Sequence, residues 1–247
     1  MSERIDETGF ADYKLIQDTD GFCYGVDAVL LAHFSVCKNT DEVLELGSGN
    51  GVVSFIINAK YSPKRILGLE KQKKASDLSK RSAVLNGLED KISFICADVL
   101  DIGKCCEESS FDVVVCNPPY FEKGASVPCD TDEKHIARHE STAGIGDFIA
   151  AAAYALKKSG KMYLIHRPSR LADIICEARN NNMEPKLMQF IVPHPGQSPN
   201  LVLIQLVKNG GRELRVLPEI SVRNSDGNWS EEIDVIYGRA AHGRSEQ

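Results

Sequence analysis

No apolar run in the 247-residue sequence approaches the roughly 18 residues needed to span a bilayer, which argues against a membrane protein. The opening MSERIDETGFADYK is too charged for a secretory leader, so a cytoplasmic location is expected. Eight cysteines occur, at positions 23, 37, 96, 105, 106, 116, 129 and 176, but no two have the C-x-x-C spacing of a zinc site. A chain of this size needs no disulfide framework, and buried reduced thiols with no metal are the expectation. Excess positive charge is missing too: 29 Lys and Arg against 35 Asp and Glu leave a formal charge of −6. Coating nucleic acid by bulk electrostatics needs a basic face, so only a local patch is open to it. Candidates are Lys71, Lys73 and Lys74, the stretch KHIARH from Lys134 to His139, and Arg167 with Arg170, each by default a solvated surface run.

Internal repeats and low-complexity linkers are also absent, and 43% hydrophobic residues suffice for a core. One domain is expected: residues 1–40 as an N-terminal extension and helix, 41–208 as the core, 209–238 as a strand extension and 239–247 as a flexible tail. From residue 41 short apolar runs alternate with helix-like segments, the pattern of βα units around a parallel sheet. Strands are expected at 42–46, 65–69, 92–96, 111–116 and 161–166, and helices at 51–60, 71–86 and 147–157. In GDFIAAAAYALKKSG the Ala and Leu content favours helix, Lys157 and Lys158 suit the negative end of its dipole, and Gly160 suits its C-terminal cap. Beyond residue 184, KLMQFIVP and LVLIQLVK flank the polar link PHPGQSPN and should pair antiparallel at the sheet edge, followed by strand-like ELRVLPEISVR. Ahead of the first βα unit, GVDAVLLAHF reads as a helix with Asp27 as N-cap. The expected fold class is α/β: a mostly parallel seven-stranded sheet with an antiparallel edge strand and helices on both faces.

VLELGSGNG places Gly47, Gly49 and Gly51 between the first core strand and a helix, where a missing Cβ lets the backbone approach a ligand. The dinucleotide pattern G-x-G-x-x-G is not met, because the sixth position is Val52 counted from Gly47 and Ser54 counted from Gly49; a P-loop Gly-Lys-Ser/Thr is absent as well. The stretch from Glu45 to Gly51 resembles motif I of the class I S-adenosylmethionine (SAM) methyltransferases, an acid, one residue, then G-x-G-x-G. That resemblance implies a Rossmann-like fold and SAM held around Glu45, Gly47, Ser48, Gly49 and Gly51. An acid beside a close-approach turn suits a ligand carrying an ammonium and a sulfonium. Glu70 ends the second core strand, where doubly wound folds place an acid for ribose hydroxyls; alone it is equally a surface carboxylate. In CADVL, Asp98 ends the third, where the same class hydrogen-bonds the adenine amino group while the Val99 backbone reads the ring. Three carboxylates at three successive strand ends are expected to face one crevice.

The fourth strand, FDVVVC, runs into Asn117, Pro118, Pro119 and Tyr120. The prolines keep the chain extended and withhold N–H donors, so the Asn117 side-chain oxygen and the Pro118 carbonyl can serve as two acceptors. Two acceptors suit one planar NH2: they favour a pyramidal nitrogen and aim its lone pair. Tyr120 offers a ring on which an unpaired base can stack, worth about 1–3 kcal/mol. N-P-P-Y resembles motif IV of the amino-methyltransferase branch, whose members act on adenine N6, guanine N2 or glutamine N5. An isolated Asn-Pro turn with an aromatic anchor would be the plainer reading.

About forty residues precede motif I, which leaves no room for the helical substrate domain of release-factor enzymes, and no inserted target-recognition domain is evident. GFCYGVDAVLLAHF, motif I, N-P-P-Y-F, ARHE and the late DVIYG together are similar to the compact bacterial tRNA adenine-N6 methyltransferases that modify adenosine 37 of valine tRNA, over residues 10–238. The resemblance implies that Gly25 to Asp27 close the SAM pocket, although Val26 stands where Thr is expected. It also implies tRNA as partner, with Phe121, Arg138 and His139 as candidate substrate contacts on a mobile loop; solvated charges at a helix start are the alternative. His166 and Arg167, ending the fifth strand, can line the crevice, and His166 reads equally as a structural histidine. Methylation of a protein glutamine or a small molecule, and a SAM- or RNA-binding module without turnover, stay open. An O-methyltransferase fits least, since a hydroxyl usually needs a base or metal and offers one hydrogen to two acceptors.

Overall fold

EVLEL, RILGLE, ISFIC and FDVVVC are short runs of Val, Ile, Leu and Phe with few polar breaks, the composition of strands covered on both faces. In the computed structural model, which describes residues 3–19, 24–120 and 143–239, they form the centre of the molecule. An antiparallel hairpin comes first, β1 (Glu3–Glu7) and β2 (Lys14–Asp18). Then follow α1 (Val26–Phe34), β3 (Glu42–Leu46), α2 (Val52–Tyr61), β4 (Arg65–Glu70), α3 (Lys73–Leu85) and β5 (Ile92–Cys96). A 3-10 turn (Val99–Asp101) and the short α4 (Ile102–Cys105) lead to β6 (Phe111–Cys116). After the next described residues come α5 (Ile145–Ala155), β7 (Leu156–His166), α6 (Leu171–Asn180), β8 (Met183–Val192) and β9 (Leu201–Lys208). Two-residue strands β10 (Arg215–Val216) and β11 (Ile220–Ser221) precede α7 (Glu231–Ile236).

Among the described residues the main sheet has nine strands in the order β10-β8-β9-β7-β6-β3-β4-β5, with β11 also on β8. β5, β4, β3, β6 and β7 are parallel; β9 is antiparallel to both its neighbours. The expected pairing of the two late strands is present, but the antiparallel strand lies inside the sheet and not on its edge, because β8 and its short partners extend the sheet beyond it. Alternate residues of each strand feed two cores. Val43, Ile66, Val113 and Val115 pack with α1, α2 and α3, while Leu44, Leu46, Val114 and Cys116 pack with α5 and α6. Phe55, Ile56 and Ile57 of α2 have at most 1% of their surface exposed, burial worth about 1.5–3 kcal/mol for each side chain.

Several expectations need correction. The alanine-rich helix stops at Ala155, and Leu156, wholly buried, already pairs with Phe111 as the first residue of β7. Lys157 bonds Asp112 (2.8 Å) instead of capping a helix, and Gly160 lies in a strand irregularity, where an added Cβ would come 2.8 Å from the Lys157 carbonyl. Residues 209–238 hold only four strand residues before α7, because Pro218 has no N–H for a ladder. Helix α6 escaped the pattern, although Ile174 and Ala178 have the one-turn spacing of a buried stripe. Of the six described cysteines, all free, Cys37 and Cys116 are buried, whereas Cys96 and Cys176 are exposed. No described helix is long and apolar enough to cross a membrane.

The unforeseen hairpin is held to α3 by polar side chains. Asn86 exchanges two bonds with the Lys14 backbone (2.9 and 2.7 Å), the Ser82 hydroxyl accepts from Ile16 N (3.0 Å), and Arg81 forks onto Glu3 with two bonds of 2.8 Å. Residues four apart on a helix thus meet residues two apart on a strand, and the strand's outer edge is not left unpaired.

Beneath the next segment, Gly68 of β4 lets Phe94 pack flat: an added Cβ would lie 2.4 Å from the Phe94 ring and 3.1 Å from Ser48 Cβ. Gly68→Ala should therefore cost about 1–3 kcal/mol by overpacking, whereas Gly211→Ala, with nothing within 4 Å of the added carbon, should stay within about 0.5 kcal/mol. Urea denaturation midpoints of the two variants measure the difference.

Candidate active site

Strand order reverses between β3 and β6, and the register aligns Leu46 with Cys116. A crevice outside the carboxyl ends of parallel strands belongs at such a point, and the loops after both strands open there. After β3 the chain turns through Gly47, Gly49 and Gly51, all left-handed (φ 70°, 53° and 81°). Gly51 has a double need for glycine, since a Cβ there would also lie 2.6 Å from the Phe94 ring. The turn is pinned by Ser48 N donating to Leu69 O (2.9 Å) and by Ser79 Oγ donating to Gly49 O (2.9 Å). At Gly49 an added Cβ would meet nothing within 4 Å among the described residues, so the loop opens on space there. Ser48 Oγ is buried with no hydrogen-bond partner among the described residues.

Glu70 hangs from the end of β4, 7% exposed, and accepts from Gly49 N and from Gln72 N, both at 2.8 Å. Burial pushes its carboxyl above the usual range, partly offset by those N–H donors. Asp98 accepts from Leu100 N (3.1 Å) and pairs with Lys71 (3.1 Å), and Val99 begins the 3-10 turn with 6% exposure. Glu45 departs from the expected common crevice. It is 3% exposed and its carboxylate turns into the start of α2, accepting from Ser54 N (3.1 Å) and from the Ser54 hydroxyl. Burial, the dominant cause, holds its carboxyl up to about 8.

Asn117 leaves β6 into the same crevice. Its Nδ2 donates to Asp27 Oδ2 (3.1 Å), and the Tyr120 hydroxyl reaches both Asp27 Oδ2 (3.0 Å) and Asn117 Oδ1 (2.8 Å). Asp27 is therefore no N-cap: α1 starts after Gly25, with no side-chain cap bond, and the carboxylate is spent on the N-P-P-Y segment. The Asn117 amide gives one hydrogen to Asp27, and its oxygen lies beside the same Tyr120 hydroxyl that Asp27 Oδ2 reaches. Burial first, then the Asp27 charge, raises the Tyr120 phenol far above its ordinary value, so it stays protonated. Pro118 is buried and Pro119 exposed.

His166, 3% exposed, supports Tyr120 edge-on with ring centres 5.3 Å apart, and Arg167 lies 5.8 Å from the same ring. The His166 Nδ1 accepts from Arg167 N (2.9 Å), so its proton is on Nε2; burial, with Arg170 next, lowers it to about 4 and keeps it neutral. Sequence reasoning missed Gln17, 3% exposed on β2, which accepts from Asn50 Nδ2 in the glycine loop (3.0 Å). No spacing signal links residues so far apart. Phe121, Arg138 and His139 lie outside the described residues. No group of three or more His, Cys, Asp and Glu among the described residues could hold a metal ion.

Solved structures with this architecture include methyltransferases. A predicted O-methyltransferase from Agrobacterium tumefaciens superposes with a TM-score of 0.70 over 89% of this chain and all of the other, at 21% identity. The geranyl diphosphate C-methyltransferase of Streptomyces coelicolor, solved with S-adenosyl-L-homocysteine, gives 0.56 over 74% of this chain and 80% of its own, at 14% identity. The fold is thus that of a class I methyltransferase. Residues 24–183 match the family model of the methyltransferase small domain, and the chain belongs to that family. It is similar to the tRNA1(Val) (adenine(37)-N6)-methyltransferases of Aeromonas hydrophila (24% identity; 90% of this chain, 91% of the relative) and Porphyromonas gingivalis (26%; 81% and 76%).

Glu45 offers a pH test of the loop's foundation. Its folded value of about 8 lies above the ordinary 4.5, so its contribution to stability is complete below 4.5 and is lost as pH rises toward 8. Glu45→Gln removes that titration. Unfolding free energies of wild type and variant, measured across this interval, should shift steadily in favour of the variant as pH increases, and parallel curves would show that Glu45 is not buried protonated.

Proposed function

We propose that the protein is a cytoplasmic SAM-dependent RNA methyltransferase that methylates the N6 amine of an adenosine in tRNA, position 37 of valine tRNA being the site named for its relatives. The observation that carries this reading is the convergence of Asn117 Oδ1 and Asp27 Oδ2 on one point, now marked by the Tyr120 hydroxyl at 2.8 and 3.0 Å. Two acceptors converging on one donor is what a planar NH2 requires.

The residues around the glycine loop fit SAM. Among the described residues, Ser48 Oγ is a buried polar atom without a partner and nothing fills the space at Gly49. Gly47, Ser48, Gly49 and Gly51 would line its methionine portion, Glu70 would take the ribose hydroxyls, and Asp98 with the Val99 backbone would take the adenine. Gly25 would close the pocket, and Glu45 would act through Ser54 and α2. Bound there, SAM would supply an electrophilic methyl group. The chain's own part is to grip the target amine: Asn117 Oδ1 and Asp27 Oδ2 accept its two hydrogens, and the Pro118 carbonyl borders the same segment. As the amine becomes acidic, the Asp27 carboxylate can receive its proton. The Tyr120 hydroxyl yields its place to the target amine, and its ring, backed by His166, serves as the stacking surface.

A second reading, a glutamine or small-molecule amine as acceptor, is favoured by the formal charge of −6. Incubating the enzyme and SAM with unmodified bulk tRNA, followed by nucleoside mass spectrometry, decides between them. N6-methyladenosine should appear, and Asn117→Ala should reduce its rate by on the order of a hundredfold or more while SAM binding persists. SAM binding without any methylated nucleoside would transfer the assignment to the second reading. Asp27→Asn should retain SAM affinity but lower turnover, because the amide leaves the Asn117 side chain free to flip; a variant with wild-type turnover would remove Asp27 from the mechanism.

A further inference from the structure

A chain of formal charge −6 can meet a polyanion only through a local surface. In the segment after β11, which also carries Asp226, Glu231, Glu232 and Asp234, two arginines are held on aromatic rings. Arg223 and Trp229 face each other across an antiparallel bridge, closed by Asn224 N donating to Asn228 O (2.9 Å). The Arg223 guanidinium lies 4.5 Å from the centre of the Trp229 ring. Arg239 lies over two rings, 5.7 Å from Trp229 and 4.3 Å from Tyr237. Trp229, Tyr237 and Phe10 follow one another at 6.4 Å steps. Arg239 is exposed and Arg223, Trp229 and Tyr237 are half-buried, so guanidinium groups and rings alternate along an accessible row.

The row leads to the active site. Helix α7 packs against α1, whose first turn carries Asp27, and Tyr237 directly follows α7. Tyr24 and Asp27 are among the groups that, after burial, hold the Tyr237 phenol up. Beyond Asp27 the same path continues through Tyr120 to Arg167.

We propose that Arg223, Arg239 and the rings between them seat the sugar-phosphate backbone of the RNA strand that delivers its base to Asn117. The proposal rests on the RNA reading above. A guanidinium held over a ring, and for Arg223 also by Nη1 donating to Gly227 O (2.8 Å), is already ordered, so less freedom is lost when its remaining N–H groups meet a phosphate. Rings in the same row can contact sugars and bases without regard to sequence. Asp234 pairs with Arg239 at 3.7 Å, with both side chains more than a third exposed; such a pair is worth little in water and can give way to a phosphate. Glu231 and Glu232 are exposed in the first turn of α7 and add negative charge beside the row, so phosphate contact there falls to the arginines alone.

Binding of fluorescently labelled bulk tRNA to the full chain across a potassium chloride series tests this. Arg223→Gln combined with Arg239→Gln should weaken binding about tenfold, and the slope of log affinity against log salt should become shallower by about one per arginine. Lys80→Gln combined with Lys91→Gln removes two exposed cations elsewhere and should behave as wild type. The corresponding Arg→Lys pair should restore the slope but not the affinity, which separates phosphate contact from a fold that has merely loosened. An arginine variant that binds like wild type or like the lysine control overturns the proposal, as does a wild-type chain that binds no tRNA. Methylation by the wild type is read separately: tRNA bound through the arginines but never methylated would leave this surface standing and remove the proposed activity.

Discussion

Parallel pairing of β3 with β4 on one side and β6 on the other brings Leu46, Leu69 and Cys116 to one level of the sheet. The glycine turn, Glu70 and Asn117 hang from those three positions. The glycine turn follows Leu46, Glu70 follows Leu69, and Asn117 follows Cys116. A shift of one residue in either pairing would turn each side chain to the opposite face, and the alternation of two cores prevents it: Val43 and Val113 go to the α2 side, Leu44 and Val114 to the α5 side. The same burial that sets the register therefore sets the geometry of the crevice.

Polar groups around the crevice are divided between building it and facing it. Glu45 is used up beneath α2, where Ser54 satisfies it. Glu70 does both, since its oxygens hold Gly49 and Gln72 while it sits at the mouth. A buried carboxylate with two backbone N–H donors is acceptable where an unpartnered one would not be. The N-terminal hairpin adds a wall: α3 holds β2 through Ser82 and Asn86, and Gln17 reaches Asn50 in the glycine turn. A segment outside the main sheet thereby stabilises the loop that the sheet positions.

Tyr120 orders the end of β6. Its hydroxyl shares one proton between Asn117 Oδ1 and Asp27 Oδ2, and its ring rests on His166, so neither acceptor is left bare. Neutral His166 suits that role, because a charged ring beside Arg167 and Arg170 would be repelled. Arg167, Arg223 and Arg239 each lie over an aromatic ring, where planar guanidinium groups are held in position.

Residue order alone determined the core strands and their helices, because buried parallel strands read as short apolar runs: 42–46, 92–96 and 111–116 coincide with β3, β5 and β6. It also carried the spacing from Glu45 to Gly51 and the N-P-P-Y run, since both are local patterns. Tertiary structure decided what local patterns cannot carry. The end of α5 was set by the burial of Leu156 against β6, not by Lys157 or Gly160, and the hairpin was set by side chains of α3 some seventy residues away. Asp27 had the sequence of a helix cap and became a partner of Asn117, ninety residues on. Helix propensity and glycine spacing act over a few residues, whereas hydrogen bonds between α1 and the end of β6 exist only once the sheet has brought those ends together.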